Sequence, residues 1–83
     1  MDSLHEVIKA LEQSPNNVSF EDLCNICEAF FGKPRNKGSH KIYKIPWQGD
    51  PRINIQKSEN GKAKAYQVRQ VIKALKRLEG EKW

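Results

Sequence analysis

The chain has 83 residues, 37% of them hydrophobic and 30% charged, which predicts one small domain over residues 1–83. No apolar run is long enough to cross a membrane and no signal-peptide pattern is present, so we expect a cytoplasmic protein without a membrane partner. The charge is uneven: residues 1–32 have one Lys and six acidic residues, formally −5, whereas residues 33–83 have fourteen basic and four acidic residues, formally +10, so a polyanion would bind the second part.

Two amphipathic helices are predicted in the acidic third. The first lies within residues 2–13, with Asp2 or Ser3 as its N-cap and apolar residues at helical spacing: Leu4, Val7, Ile8 and Leu11. Turn residues 14–17 end it. The second covers about residues 19–31, because Ser19 is a favourable N-cap with an acidic residue three positions later. It is apolar over more than half of its circumference, as a helix packed on both a sheet and another helix would be.

Cys24 and Cys27 form a C-x-x-C pattern inside the second helix. The pattern is compatible with half a zinc site or a redox pair, but the two histidines of the chain lie in separate segments. The two cysteines share one helical stripe with Phe20 and Phe31, where free Cys behaves as a small hydrophobic residue. We therefore predict that both cysteines pack in the core, with no bound metal and no cofactor.

The basic part of the chain predicts a small antiparallel sheet. Alternation over residues 52–57 predicts a strand with Ile53 and Ile55 on one face. Residues 41–45 predict a second strand with Tyr43 and Ile45 directed inward, which leaves His40 on the other face. Residues 32–35 predict a third, very short strand, confined to an edge by its proline.

The remaining segments complete an α+β domain with helices on one face of the sheet. Residues 46–51 predict a turn longer than a tight hairpin, and residues 58–64 predict a mobile loop. The last helix, about residues 66–79, is expected to bury one stripe and expose another. The buried set is Val68, Val71, Ile72, Leu75 and Leu78, and the exposed set is Arg69, Gln70, Lys73, Lys76 and Arg77.

The segment 35–41 carries the residues with the clearest chemical use. His40 is the residue of this segment whose side-chain type can take up and release a proton in catalysis, while its neighbours can hold a phosphate group. Gly38 permits positive φ and a close backbone approach, and the Ser39 hydroxyl can donate to phosphate oxygens. The phosphate-binding candidates of the segment are Arg35, Lys37, Gly38, Ser39 and Lys41. The acidic residues of the basic part are scattered, so this chemistry is predicted to proceed without a metal.

Less specific interpretations stand beside this one. A Gly-Ser-His tripeptide before a strand is common, and a basic face can bind RNA without cleaving it. Tyr43 and Trp47 are candidates for stacking on an unpaired base, although packing of the turn against the sheet is favoured. A DNA-binding helix pair is disfavoured, because the two first helices are the acidic part of the chain.

Residues 17–23, 35–40 and 62–71 together resemble the HicA (YcfA-like) family of toxins from type II toxin–antitoxin modules. The specific part is R-x-x-G-S-H followed downstream by Y-Q-V-R-Q at the start of a helix. The resemblance extends from about residue 17 to residue 78, so residues 1–16 form an additional N-terminal helix before a core of residues 17–79. Asn36 stands where the family often has Gln.

The resemblance implies a fold similar to a double-stranded-RNA-binding domain, ribonuclease activity on mRNA, and neutralisation by a HicB-type antitoxin protein. The family's motif histidine corresponds to His40 and its glycine to Gly38. DNA would be contacted only indirectly, through the antitoxin complex. Residues 33–77 are then expected to bind the RNA backbone, with Lys64 and Arg69 joining the cations near His40.

His40 is predicted to act as general base or acid, with the 2′-hydroxyl of the RNA as nucleophile. The second proton-transfer partner stays open between Lys41, Tyr43 and water. The alternative function is a non-catalytic RNA-binding module of the same fold.

Overall fold

The computed structural model of the chain describes residues 3–46, 52–58 and 60–80. The elements follow the order α1 (Leu4–Gln13), α2 (Phe20–Phe31), β1 (Arg35–Lys37), β2 (His40–Tyr43), β3 (Ile53–Gln56) and α3 (Ala65–Gly80). The three strands form one antiparallel sheet in the order β1-β2-β3. The predicted α+β architecture, with two helices before the sheet and one after it, is confirmed.

The first two helices begin at serine N-caps, as predicted. The Ser3 Oγ accepts from the backbone N–H of Glu6, and the Ser19 Oγ accepts from the backbone N–H of Asp22 at 3.0 Å. Gly32 ends α2 with φ +94°, and its N–H donates to the Glu28 carbonyl. These capping residues are strong local signals because each provides a hydrogen-bond partner for a backbone N–H or carbonyl group at a helix end that has none within the helix.

The sheet separates two faces by the alternation of its side chains. Tyr43, Ile53 and Ile55 are buried on the inner face, where they pack with α2 and α3 in one core. The edge strand β1 covers Arg35–Lys37 and not the predicted residues 32–35, because Pro34 cannot donate to the ladder and the strand begins after it. The half-buried Ile45 also packs against the core. The predicted inward direction of Tyr43 is therefore confirmed.

The cysteines of α2 lie in this core. Cys24 and Cys27 are both free and buried, and Cys27 has no exposed surface. Burial raises the pKa of each thiol above the ordinary value of 9.0. The prediction that they act as small core residues is confirmed.

The additional helix α1 packs against α3. Its buried residues are Leu4, Ile8 and Leu11, and two polar pairs flank this contact. Glu12 forms an ion pair with Lys76, and the His5 Nδ1 lies 3.0 Å from the Glu79 Oε2. α2 and α3 both cover the inner face of the sheet directly, since α2 contacts β2 and β3 and α3 contacts β3.

Residues 58 and 60–63 are more structured than the mobile loop predicted over residues 58–64. The Ala63 N–H donates to the Val18 carbonyl at 2.8 Å, and the Ser58 N–H donates to the Lys62 carbonyl at 2.9 Å. Isolated bridges join Lys57 to Ala63 and Ser19 to Lys62. This segment therefore forms a short paired turn after the end of β3 that also bonds to the residues before α2.

The prediction for the β2–β3 turn falls largely outside the described residues, because residues 47–51 are not among them. Within the described ranges, no helix is both long and apolar enough to span a membrane.

Candidate functional site

The sheet face turned away from the core, here called the outer face, gathers most of the predicted site. Cross-strand register places Lys37 opposite His40, and His40 opposite Gln56. Side-chain alternation puts Arg35 and Asn54 on the same face. Both cations of β1 are exposed and His40 is half-buried. The structure thus brings a histidine and two cations together on one surface.

His40 has a defined partner on the neighbouring strand. Its Nδ1 lies 2.8 Å from the Oδ1 of Asn54. An amide oxygen can only accept, so Nδ1 carries the proton and donates. In the neutral ring the lone pair then lies on Nε2, which is therefore the nitrogen available to take a proton.

The turn before His40 is a two-residue hairpin made by Gly38 and Ser39. Lys37 pairs with His40 across it, and Gly38 has φ +61°, whereas Ser39 does not have positive φ. This combination fits a type II′ turn, which needs Gly at its first central position. The predicted positive φ of Gly38 is confirmed, and its physical role is to set the register that places His40 beside Lys37.

Gln56 connects this hairpin to the start of α3. Its Nε2 donates to the Ser39 Oγ at 3.4 Å, and its Oε1 accepts from the Lys64 Nζ at 3.2 Å. Lys64, which is distant from His40 in sequence, is thereby held near the same site. Gln56 therefore connects Lys64 to the Gly-Ser-His segment, with which it was predicted to group.

Lys41 lies on the opposite side of the sheet from His40. Its Nζ donates to the Asn36 Oδ1 at 3.0 Å, and its side chain lines a groove beside α2 that also contains Glu21 and Glu28. Strand alternation causes this separation, because adjacent residues of β2 must point to opposite faces. The structure therefore does not group Lys41 with the other candidates.

Tyr43 is enclosed by the core and is not available to a nucleic-acid base. Its hydroxyl donates to the Cys24 carbonyl at 3.3 Å, and burial raises its pKa well above the ordinary value of 10.0. It is therefore a poor candidate for proton transfer with His40. The other aromatic candidate, Trp47, lies outside the described residues.

Two further residues of the α3 start are exposed. Arg69, one of the predicted RNA-binding residues, lies on the solvent side of α3, and Tyr66 precedes it by one helical turn. Of the large hydrophobic side chains in the described part of the chain, Tyr66 alone is exposed.

Asn54 and Gln56 were not predicted as site residues. The signal was present, since alternation in β3 puts them on the face opposite Ile53 and Ile55. Their meeting with His40 depends on the β2–β3 register, which the long connection between these strands leaves undefined in the sequence. Among the residues that the structure describes, no group of three or more His, Cys, Asp or Glu side chains is placed to hold a metal ion.

No family model, no curated protein and no solved structure matches this chain.

Proposed function

We propose that this protein is a metal-independent endoribonuclease that cleaves mRNA, and that it serves as the toxin of a type II toxin–antitoxin pair. The observation that carries the proposal is the oriented histidine: His40 donates from Nδ1 to Asn54 and faces the cation Lys37 across the hairpin. An imidazole held in one tautomer beside a positive surface suits proton transfer at a bound phosphodiester.

The proposed reaction uses the RNA's own 2′-hydroxyl. The Nε2 of His40 takes the 2′-hydroxyl proton while the oxygen attacks the adjacent phosphorus. The O2′–P bond forms, the P–O5′ bond breaks, and the 5′-oxygen receives a proton from water or from the imidazolium. The products are a 2′,3′-cyclic phosphate and a 5′-hydroxyl end. DNA is not cleaved because it lacks the nucleophile.

The outer-face cations would stabilise the negative charge that develops on the phosphorus oxygens. Arg35 and Lys37 share this face with His40, and Lys64 approaches through Gln56. A guanidinium can hold two phosphate oxygens at once, whereas an ammonium acts as a point charge. Lys41 lines the groove beside α2 on the opposite face of the sheet, so it is not placed to contact the same phosphate.

The toxin assignment rests on the resemblance of the R-x-x-G-S-H and Y-Q-V-R-Q segments to the HicA family, together with the related expectation of a double-stranded-RNA-binding-like fold. The α+β architecture is compatible with that fold. A HicB-type antitoxin would have to cover the cationic outer face, so we expect it to present acidic residues there and to block access to His40.

A cleavage assay with purified protein and a mixed-sequence RNA tests the catalytic part. The unmutated protein is expected to cut in the presence of EDTA, and His40→Ala is expected to abolish cutting while preserving the fold. His5→Ala is the matched control, because His5 lies on α1, where it pairs with Glu79 of α3. Cleavage by folded His40→Ala contradicts the mechanism. RNA binding without any cleavage by the unmutated protein would instead support the non-catalytic alternative.

Expression in a permissive host tests the toxin part. Production of this chain alone should arrest growth, and co-expression of the neighbouring open reading frame should restore it. Normal growth of cells that produce this chain alone would contradict the toxin assignment without bearing on cleavage in the purified assay.

A further inference from the structure

Tyr66 has an exposed aromatic ring, and packing in the core does not explain its position. Its side chain is at the first turn of α3 and the residue is 55% exposed, although its neighbours Gln67 and Val68 are buried. An exposed tyrosine ring can offer its face to another planar group.

The ring is held in place by a buried glutamine. The Gln67 Nε2 donates to the Tyr66 hydroxyl at 3.3 Å, and the Gln67 Oε1 accepts from the Gln56 backbone N–H at 2.9 Å. Gln67 is only 4% exposed, so its amide is fixed by these two bonds. Tyr66 is thereby anchored to the free edge of β3 rather than left to rotate.

This anchor point is also part of the His40 site. Gln56 is the cross-strand neighbour of His40, and its side chain contacts both Ser39 and Lys64. Arg69 follows Tyr66 by one turn of α3, on the same helical side. An aromatic ring and one cation, Lys64, therefore border the β3 edge of the outer face, and Arg69 extends the exposed basic side of α3 from there.

We infer that Tyr66 is a stacking platform for an unpaired RNA base, from a nucleotide next to the phosphate held at His40. This inference rests on the proposed function and specifies its substrate as single-stranded RNA. In a duplex the base faces are stacked inside the helix, whereas an unpaired base can lie on a tyrosine ring. Arg69 and Lys64 would hold the backbone on either side of that base.

Binding by His40→Ala separates recognition from cleavage. We expect this variant to bind a short single-stranded RNA, and Tyr66→Ala added to it to weaken binding by about tenfold, as for loss of one base stack. Tyr66→Phe and Tyr66→Trp keep a ring but lose the hydroxyl bond to Gln67, so both should bind more tightly than Tyr66→Ala and at most as tightly as the protein with Tyr66. The slope of log affinity against log salt concentration should stay unchanged, since no phosphate contact is removed. Fluorescence anisotropy at several salt concentrations measures both quantities.

Gln70→Ala is the matched control, because Gln70 is exposed on the same helix and carries no ring. Fully paired RNA should bind equally to His40→Ala, here called the parent, and to the parent with Tyr66→Ala added.

Equal binding of single-stranded RNA by these two proteins overturns the inference while leaving the proposed function intact. Loss of antitoxin binding with unchanged RNA binding also overturns it, since Tyr66 would then serve a protein interface. Absence of RNA binding by the parent overturns both.

Discussion

The hydrogen bond between His40 and Asn54 gives the proposed base its direction. An imidazole that rotates freely can present either nitrogen, and only one arrangement places Nε2 toward a bound substrate. The 2.8 Å contact selects that arrangement from the neighbouring strand. In the proposed mechanism Asn54 is thus a positioning residue, which acts through His40.

Substitution of Asn54 should change activity and its pH dependence in separable ways. We expect Asn54→Ala to lower kcat by about fivefold, equivalent to one neutral hydrogen bond of about 1 kcal/mol. Asn54→Asp places a carboxylate against the ring and stabilises the imidazolium, so the limb of the pH–rate profile that reports His40 should move to higher pH. Cleavage rates measured from pH 5 to 9 check both expectations.

The neighbouring Gln56 supplies a comparison within the same strand. Gln56→Ala removes the contacts with Ser39 and Lys64 but leaves the His40–Asn54 pair in place. It should weaken RNA binding without displacing the pH–rate profile. A pH–rate profile identical in Asn54→Asp and the unmutated protein would contradict the positioning role.

At this scale the sequence predicts residue types better than it predicts partnerships. His40 and Gly38 are recognisable because their chemistry is carried by adjacent residues. The Asn54 contact depends on the pairing of two strands separated by a long connection, and that pairing is set by packing of Ile53 and Ile55 in the core. The placement of Lys41 on the inner face follows from alternation once the strand boundaries are known.

At the scale of elements, α1 is a stabilising addition that lies apart from the outer face. It buries one apolar stripe against α3, and this stripe belongs to the same core cluster as the buried residues of α3. Helix positions were predictable because the 3.6-residue period and serine caps are local signals. The packing partner of α1 was not, since a stripe of Leu4, Ile8 and Leu11 fits any apolar surface of similar width.

Truncation within this stripe should affect stability but not the chemical step. Ile8 is 2% exposed, so Ile8→Ala is expected to cost about 2 to 5 kcal/mol of unfolding free energy. Cleavage by the folded fraction should be unchanged, because the outer face is built from β1, β2 and β3. Urea unfolding and kcat measured below the transition give the two values.

Lys9→Ala is the control on the same helix, because Lys9 is exposed. It should change stability by less than about 0.5 kcal/mol. A large loss of kcat in folded Ile8→Ala would mean that α1 contributes to the site and would contradict its separation from the chemistry.

At the scale of the whole molecule, the sheet separates an exposed basic surface from the core. The outer face carries Arg35 and Lys37, while the acidic helix α2 and the basic helix α3 both pack on the inner side. The fold therefore does not divide the uneven charge of the sequence between the two sides of the sheet, because basic residues lie on both. The core between the sheet and these helices holds neutral titratable groups whose ionisation opposes folding.

Those groups predict loss of stability in alkaline solution. Tyr43 and Cys27 have no exposed surface, and burial raises both pKa values above their ordinary values of 10.0 and 9.0. Below about pH 8 both groups are protonated in the folded and unfolded chains, so they contribute no pH dependence. At higher pH the unfolded chain releases protons that the folded chain retains. Unfolding free energy should then fall by up to about 1.4 kcal/mol per pH unit for each group.

Tyr43→Phe tests the larger of these side chains. It should lose about 1 kcal/mol at pH 7, because the Cys24 carbonyl loses its hydroxyl donor, yet decline less steeply than the unmutated protein above pH 10. Tyr66→Phe removes the hydroxyl of a residue that is 55% exposed and leaves Tyr43 and Cys27 in place, so its alkaline decline should match that of the unmutated protein. Urea unfolding at intervals from pH 7 to 11 measures the slopes. Parallel slopes for Tyr43→Phe and the unmutated protein would show that the buried phenol does not drive alkaline unfolding.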